Sequence, residues 1–286
     1  MSDDRAANVP GSRVGTTERP GLDFNLSVPI ADFRPGMSRR EFIKTGLLGV
    51  MAAPVLLGCS DSPTGAGASP RLASRPGSPA ITPTTGLSQL GLASPRDGLL
   101  YVPESYSPDV PAPLFVALHG AGGSGDSWAS YPARAEARGM ILLAPDSRGS
   151  TWDLVRGRLG PDVEFLDRAL QHTFERCRID PARIALGGFS DGASYALSLG
   201  LSNGDLFSHL VAYSPGFVRV AGPVVGKLRI YVSHGTRDAV LPVTISRDQI
   251  VPGLRSAGYD VTYHEFDGGH EVPSAISESA LDWFVG

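Results

Sequence analysis

The sequence predicts a doubly wound α/β domain built on a mostly parallel sheet. Three observations predict it. Beyond Asp97, short continuous apolar runs bounded by glycine and proline recur along the chain, as strands buried on both faces do. Amphipathic stretches of helical length separate them, and strands alternating with helices mark parallel βαβ units. With 286 residues, 42% hydrophobic and 19% charged, the chain can bury one sizeable core.

Taken in order, Leu99–Val102 reads as an edge strand. Leu114–Leu118 (LFVAL), Met140–Ala144 (MILLA) and Ile184–Leu186 read as central strands, followed by Leu210–Tyr213, Leu228–Ser233 and Val261–Phe266. Helical patterns fall at Trp128–Arg138, Val163–Cys177, Gly192–Leu201, Thr244–Ala257 and Ala275–Phe284. In such sheets ligands bind outside the carboxyl ends of the strands. The residues just after each apolar run are therefore where chemistry is expected.

The first hundred residues have a different character. Ser38–Ser60 reads SRREFIKTGLLGVMAAPVLLGCS, with Arg39 and Arg40 paired ahead of an apolar stretch from Gly46 to Gly58. That stretch is too short, and too rich in Gly and Pro, for a comfortable membrane span, and fits an export signal core. The run resembles a twin-arginine export signal. Its end, Leu56-Leu57-Gly58-Cys59, resembles the lipobox of bacterial lipoproteins, which implies lipidation of Cys59 and an anchored, extracytoplasmic protein. Met37 directly precedes Ser38 and is an alternative start. Residues 60–96 are rich in Pro, Gly, Ser, Thr and Ala and read as a disordered tether that buries too little apolar surface to offset its ordering entropy. The expected division is an N-terminal extension with signal at 1–59, a tether at 60–96 and a catalytic domain at 97–286.

The net charge of −4 argues against a nucleic-acid partner. Two cysteines, Cys59 and Cys177, make a disulfide framework unlikely in the ordinary sense of cysteine counting, and Cys177 reads as a small buried thiol.

The sharpest motif is Gly188-Phe189-Ser190-Asp191-Gly192. It follows a strand-like run and opens a helix-like one, which is the context of a nucleophile elbow. A serine hydroxyl needs a base to take its proton, and this context supplies partners in the order Ser, acid, His. Asp238 lies in the loop after the run Leu228–Ser233, in His234-Gly235-Thr236-Arg237-Asp238. His270 follows the last strand in Gly268-Gly269-His270. Asp267 is a rival acid, disfavoured by its nearness to His270 in sequence. His119 and His234, each before a glycine at a strand end, read as loop-organising hydrogen bonders. The oxyanion of an acyl transfer needs two aimed N–H donors. The backbone amides of Asp191 and Ala121 are the expected pair, and the Asp191 carboxylate must then point away from the developing negative charge.

Gly120-Ala121-Gly122-Gly123-Ser124-Gly125 also matches the dinucleotide fingerprint, with Asp146 about twenty residues on. That reading leaves Ser190, Asp238 and His270 unexplained. No metal-ligand spacing is present, and no cofactor or metal is expected.

Together, His119-Gly120, Gly188-x-Ser190-x-Gly192, His234-Gly235-x-x-Asp238 and Gly269-His270 resemble the phospholipase/carboxylesterase branch of the α/β-hydrolases. The resemblance spans Leu99 to Phe284. It implies an α/β-hydrolase fold and cofactor-free hydrolysis of carboxylic esters or thioesters. Asp191 stands where this branch commonly has glutamine. The connection between Tyr213 and Leu228 is too short for a helical lid, so no large cap domain and an open cleft are expected. Trp128, Trp152, Phe189 and Phe217 are the candidate pocket walls. Arg148 and Arg156 lie near the same rim. The leading expectation is a serine carboxylesterase acting on a small or polymeric ester. The rivals are a feruloyl- or polyester-type esterase and a hydrolase-fold binding protein without catalysis.

Overall fold

The computed structural model describes residues 69–286 apart from 157, 158 and 221. The expected export signal and the expected lipidation site, Cys59, lie outside the described residues. Eight strands form one sheet: β1 (Gly86–Gln89), β2 (Gly98–Val102), β3 (Ala112–Leu118), β4 (Ile141–Pro145), β5 (Ile179–Phe189), β6 (His209–Tyr213), β7 (Arg229–Gly235) and β8 (Asp260–Phe266). Their order is β1-β2-β4-β3-β5-β6-β7-β8. The pairs β1–β2 and β2–β4 are antiparallel and all others are parallel. This is the doubly wound, mostly parallel α/β-hydrolase sheet that the sequence predicts.

The helices are α1 (Tyr131–Glu136), α2 (Pro161–Phe174), α3 (Asp191–Gly200), α4 (Val251–Ser256) and α5 (Ser274–Val285). Strand side chains alternate between faces with period two, and β3 shows the consequence. Leu114, Val116 and Leu118 pack with residues of α2, α3 and α4. Phe115 and Ala117 pack instead with Tyr131, Ala135, Leu281 and Phe284 of α1 and α5. All seven β3 residues are buried, which explains why the run is apolar throughout rather than alternating.

Two helical stretches break where proline enters. The stretch expected over Trp128–Arg138 is a 3₁₀ turn, Gly125–Trp128, followed by α1, with Pro132 at its start. The stretch over Thr244–Ala257 is a π-helical turn, Ile245–Ile250, followed by α4, with Pro252 in the first turn. Proline has no N–H to give and crowds the preceding turn, so the ladder changes register there.

The structure corrects the N-terminal boundary. The described part of the expected tether, 69–96, is bound to the domain and contains β1. Leu72 is 2% exposed and Leu90 3%. The backbone there is satisfied by side chains distant in sequence. Asn203 accepts from the Leu72 amide at 2.9 Å and donates to the Pro70 carbonyl at 2.7 Å. Asp167 accepts from Ala73 and Ser74, both at 2.8 Å. Composition could not show these acceptors. It follows that β2 is not an edge strand, because β1 covers it. Among the described residues no helix is long and apolar enough to cross a membrane.

Candidate active site

The carboxyl ends of β5, β7 and β8 bring three side chains together. Ser190 follows β5 and precedes α3, with φ 57° and ψ −117°. A non-glycine residue in that region is strained by roughly 1–3 kcal/mol. The surroundings hold it there by close packing. A Cβ on Gly188 would lie 2.4 Å from the backbone carbon of Gly192, and one on Gly192 would lie 2.3 Å from the Leu118 carbonyl oxygen. Only glycine lets strand, turn and helix approach so closely. The Ser190 amide donates to the Tyr213 carbonyl at 2.9 Å, tying the turn to β6.

His270, in the loop between β8 and α5, places Nε2 2.9 Å from Ser190 Oγ. Its Nδ1 lies 2.6 Å from Asp238 Oδ2. An imidazole with its proton on Nδ1 donates to Asp238 and accepts from the serine hydroxyl. The Asp238 side chain is fully buried in the loop after β7. Its other oxygen accepts from the amides of Leu241, at 2.8 Å, and Val240, at 2.9 Å. Burial alone would raise its carboxyl, but the Leu241 amide, His270 and the Val240 amide outweigh it and hold the group below its ordinary value. The rival acid, Asp267, is exposed and pairs with Arg237 at 2.6 Å.

His234 contributes more than the sequence reading assigned to it. It does organise its loop: Nε2 lies 2.7 Å from the Leu241 carbonyl and Nδ1 2.8 Å from Ser246 Oγ. The same Nε2 is also 3.3 Å from Asp238 Oδ2. Burial lowers its pKa, so it stays neutral there. His119 is likewise wholly buried, with Nδ1 2.7 Å from the Gly120 carbonyl and Nε2 accepting from the Ser147 amide at 3.0 Å.

The loop after β3 is held from behind by the loop after β4. The Gly122 amide donates to the Ser150 carbonyl at 2.6 Å, and Trp152 Nε1 donates to the His119 carbonyl at 2.8 Å. The amides of Ala121 and Asp191 have no protein partner among the described residues. Gly120 packs against the nucleophile: a Cβ there would lie 3.4 Å from the Ser190 Cβ. The glycine amides that a dinucleotide phosphate would need are already used. Gly122 and Gly123 bond backbone carbonyls, and Gly125 donates to Asp146 Oδ1 at 2.7 Å. Asp146 thus organises a turn and is not a ribose ligand.

The Asp191 carboxylate has a side-chain partner in the loop after β4. Thr151 donates its hydroxyl to Asp191 Oδ2 at 2.6 Å. Burial raises the Asp191 pKa, against the opposing pull of Thr151 and His270. Thr151 carries no sequence motif, and only the folded loop reveals it.

Of the expected pocket walls, two are displaced. Trp152 is 1% exposed and packed between His119 and Tyr195, at ring-centroid distances of 4.9 and 5.1 Å. Trp128 is 5% exposed and sits edge-on to Tyr131 at 4.6 Å. Both are core residues, because their large apolar rings fill the space under the loops that the sequence places them in. Phe189 is half-buried with its ring 4.6 Å from the His270 ring. Phe217 is half-buried too, beside Gly216, whose amide donates to Ser194 Oγ in the first turn of α3 at 2.8 Å. Arg148 is spent on structure: it bonds the carbonyls of Arg96 and Asp146 and lies over the Phe165 ring at 3.4 Å. The connection from β6 to β7 carries no helix among its described residues.

This fold and this site define an α/β-hydrolase. The model of the Phospholipase/Carboxylesterase family matches residues 163–283, a span that includes Ser190, Asp238 and His270. The chain is 27% identical to feruloyl esterase C of Emericella nidulans over 233 residues, covering 69% of this chain and 84% of that one. Among solved structures it resembles the acetyl xylan esterase of Aspergillus awamori, with TM-score 0.57 and 16% identity over 70% of this chain and 99% of that one. It also resembles esterase PE8, with TM-score 0.51 and 22% identity over 61% of this chain and 96% of that one. The chain has the fold of the α/β-hydrolases and is similar to their serine esterases. It is a carboxylic ester hydrolase.

Proposed function

We propose that the protein cleaves carboxylic esters through an acyl-enzyme, with Ser190 as nucleophile, His270 as general base and Asp238 as the residue that orients the imidazole. The observation that carries this reading is the unbroken hydrogen-bonded chain from Ser190 Oγ through His270 to Asp238. Ser190 Oγ attacks the ester carbonyl carbon while His270 Nε2 takes its proton. The tetrahedral oxyanion accepts from the amides of Asp191 and Ala121. Collapse breaks the bond to the alcohol oxygen, which leaves with the proton from His270. Water, deprotonated by the same imidazole, then attacks the acyl carbon, and the acid departs as Ser190 is reprotonated. Asp238 stays ionised and stabilises the imidazolium at each step. Its depressed pKa suits that role.

The acyl and alcohol groups are open to two readings. Simple carboxylic esters, with thioesters as a variant, are the first. The second is an aryl or polymer-borne ester of the feruloyl type. It is favoured by the similarity over most of the length of the Emericella nidulans feruloyl esterase, and by the flat face of Phe189 beside His270. Rates on p-nitrophenyl butyrate, butyryl thiocholine and methyl ferulate decide between them. A kcat/KM highest on methyl ferulate supports the second reading, and none on that ester defeats it. Phe217 is proposed as the further wall. We also propose export by the twin-arginine route and lipidation at Cys59, on the strength of Arg39-Arg40 and Leu56-Leu57-Gly58-Cys59. Metabolic labelling with an alkyne fatty acid should mark the wild type and not Cys59→Ala, and equal labelling of both would remove the proposal.

A further inference from the structure

We propose that the carboxylate of Asp191 makes the cleft discriminate by charge, turning away esters with an anionic group near the scissile carbonyl and favouring neutral and cationic ones. This rests on the esterase reading above and adds a substrate class to it. Asp191 directly follows the nucleophile, and its own amide is one of the two proposed oxyanion donors. Its carboxylate is half-buried, held by the Thr151 hydroxyl at 2.6 Å, and within electrostatic reach of His270. Among the described residues no lysine or arginine forms an ion pair with it. Arg148, three residues before Thr151, has its guanidinium committed to two carbonyls and an aromatic face.

A half-buried carboxylate with no ion-pair partner among the described residues acts through an effective dielectric below that of water while still responding to added salt. A second negative charge about 7 Å away then meets repulsion worth roughly tenfold to a hundredfold in binding. The Thr151 bond fixes the direction of the charge. It ties one carboxylate oxygen to the loop after β4 and restrains the group from swinging out to solvent. The depressed pKa that ordinary pairing would produce is absent, and burial moves the group in the opposite direction, as expected of a carboxylate without a cation.

The test uses two matched pairs, one for each side of the ester. On the alcohol side the pair is 3-carboxyphenyl acetate and its neutral carboxamide analogue. On the acyl side it is mono-p-nitrophenyl adipate and its methyl ester. For the full chain, kcat/KM for the anionic member should fall at least about tenfold below the neutral one in one pair or both. Asp191→Asn should raise that anionic-to-neutral ratio by about the same factor. Should Asp191→Asn fail to fold, the wild type alone carries the test. Raising ionic strength from about 0.01 M to about 0.5 M shortens the screening length several-fold and should narrow the gap. Ratios near one in both pairs, or ratios that neither the variant nor salt moves, overturn the proposal while leaving the esterase reading intact. Failure of the wild type to hydrolyse any neutral member overturns the esterase reading itself.

Discussion

His234 shares an oxygen with His270: its Nε2 lies 3.3 Å from the Asp238 Oδ2 that His270 Nδ1 reaches at 2.6 Å. His234 is fully buried and tied to Ser246 and to the Leu241 carbonyl. It therefore fixes the 238–241 turn whose amides hold the other Asp238 oxygen. His234→Phe should lower kcat by roughly ten- to a hundredfold with little change in KM, since a small misplacement of the acid misaligns the imidazole. His234→Gln, which keeps a donor, should recover part of the loss. A KM effect of the same size would mean that the loop shapes binding and not the base.

The orienting acid has its own test. Asp238→Asn should cut kcat by about 10³–10⁴-fold, because the amide favours the wrong imidazole tautomer. Asp267→Asn should stay near wild type, since Asp267 faces solvent and pairs only with Arg237. Steady-state kinetics of the two variants would reverse the assignment if their effects were exchanged.

These contacts also show how far a sequence can be read. Gly188-x-Ser190-x-Gly192, Asp238 and His270 could be found because each follows an apolar run, and the topology of a parallel sheet collects such ends at one edge. Thr151 could not be found, since its bond to Asp191 spans forty residues and has no local pattern. Trp128 and Trp152 misled for the complementary reason: position after a strand says that a loop is near the site, not which side of the loop a ring occupies. The segment at 69–96 looked like a tether because its few large apolar residues, Leu72, Ile81, Leu87, Leu90 and Leu92, carry no periodicity. Two acceptors that hold its backbone, Asp167 in α2 and Asn203 after α3, are distant in sequence.

The corrected boundary predicts a truncation series. A chain starting at Ser69 should keep the thermal stability of the full chain. One starting at Asp97 loses β1, Leu72 and Leu90 and should melt lower by several degrees, at about 4 °C or less per kcal/mol in a domain of this size. Equal melting temperatures by calorimetry would return 69–96 to the status of a tether.

A buried carboxylate pair under the same loops makes stability depend on pH. Asp162 is 2% exposed, and burial pushes its pKa up to about 6. The Asp153 and Asp162 side chains each accept from the other's amide, at 2.9 and 2.6 Å. A carboxyl with a raised folded pKa binds more protons folded than unfolded, so its contribution to stability declines as pH rises from near its unfolded value to about 6. Asp162→Asn should flatten that decline, by roughly 1–3 kcal/mol between the two ends. Urea unfolding at a series of pH values measures it, and parallel curves for wild type and variant would contradict it.

The elbow's dependence on close packing is equally testable. Gly188→Ala and Gly192→Ala place a Cβ within 2.4 Å and 2.3 Å of backbone atoms. Each should cost at least about 1–3 kcal/mol and abolish activity by moving Ser190. A native-like melting temperature with full activity would show that the turn can open.

The nucleophile is tested most directly by covalent capture. A fluorophosphonate reacts only with an activated serine, and the adduct can be located by intact mass and peptide sequencing. The wild type should take up one equivalent, on Ser190, and Ser190→Ala should take up none while keeping the wild-type circular dichroism spectrum. One equivalent on a different serine, or unchanged labelling of Ser190→Ala, would contradict the assignment of Ser190, His270 and Asp238 as the catalytic set.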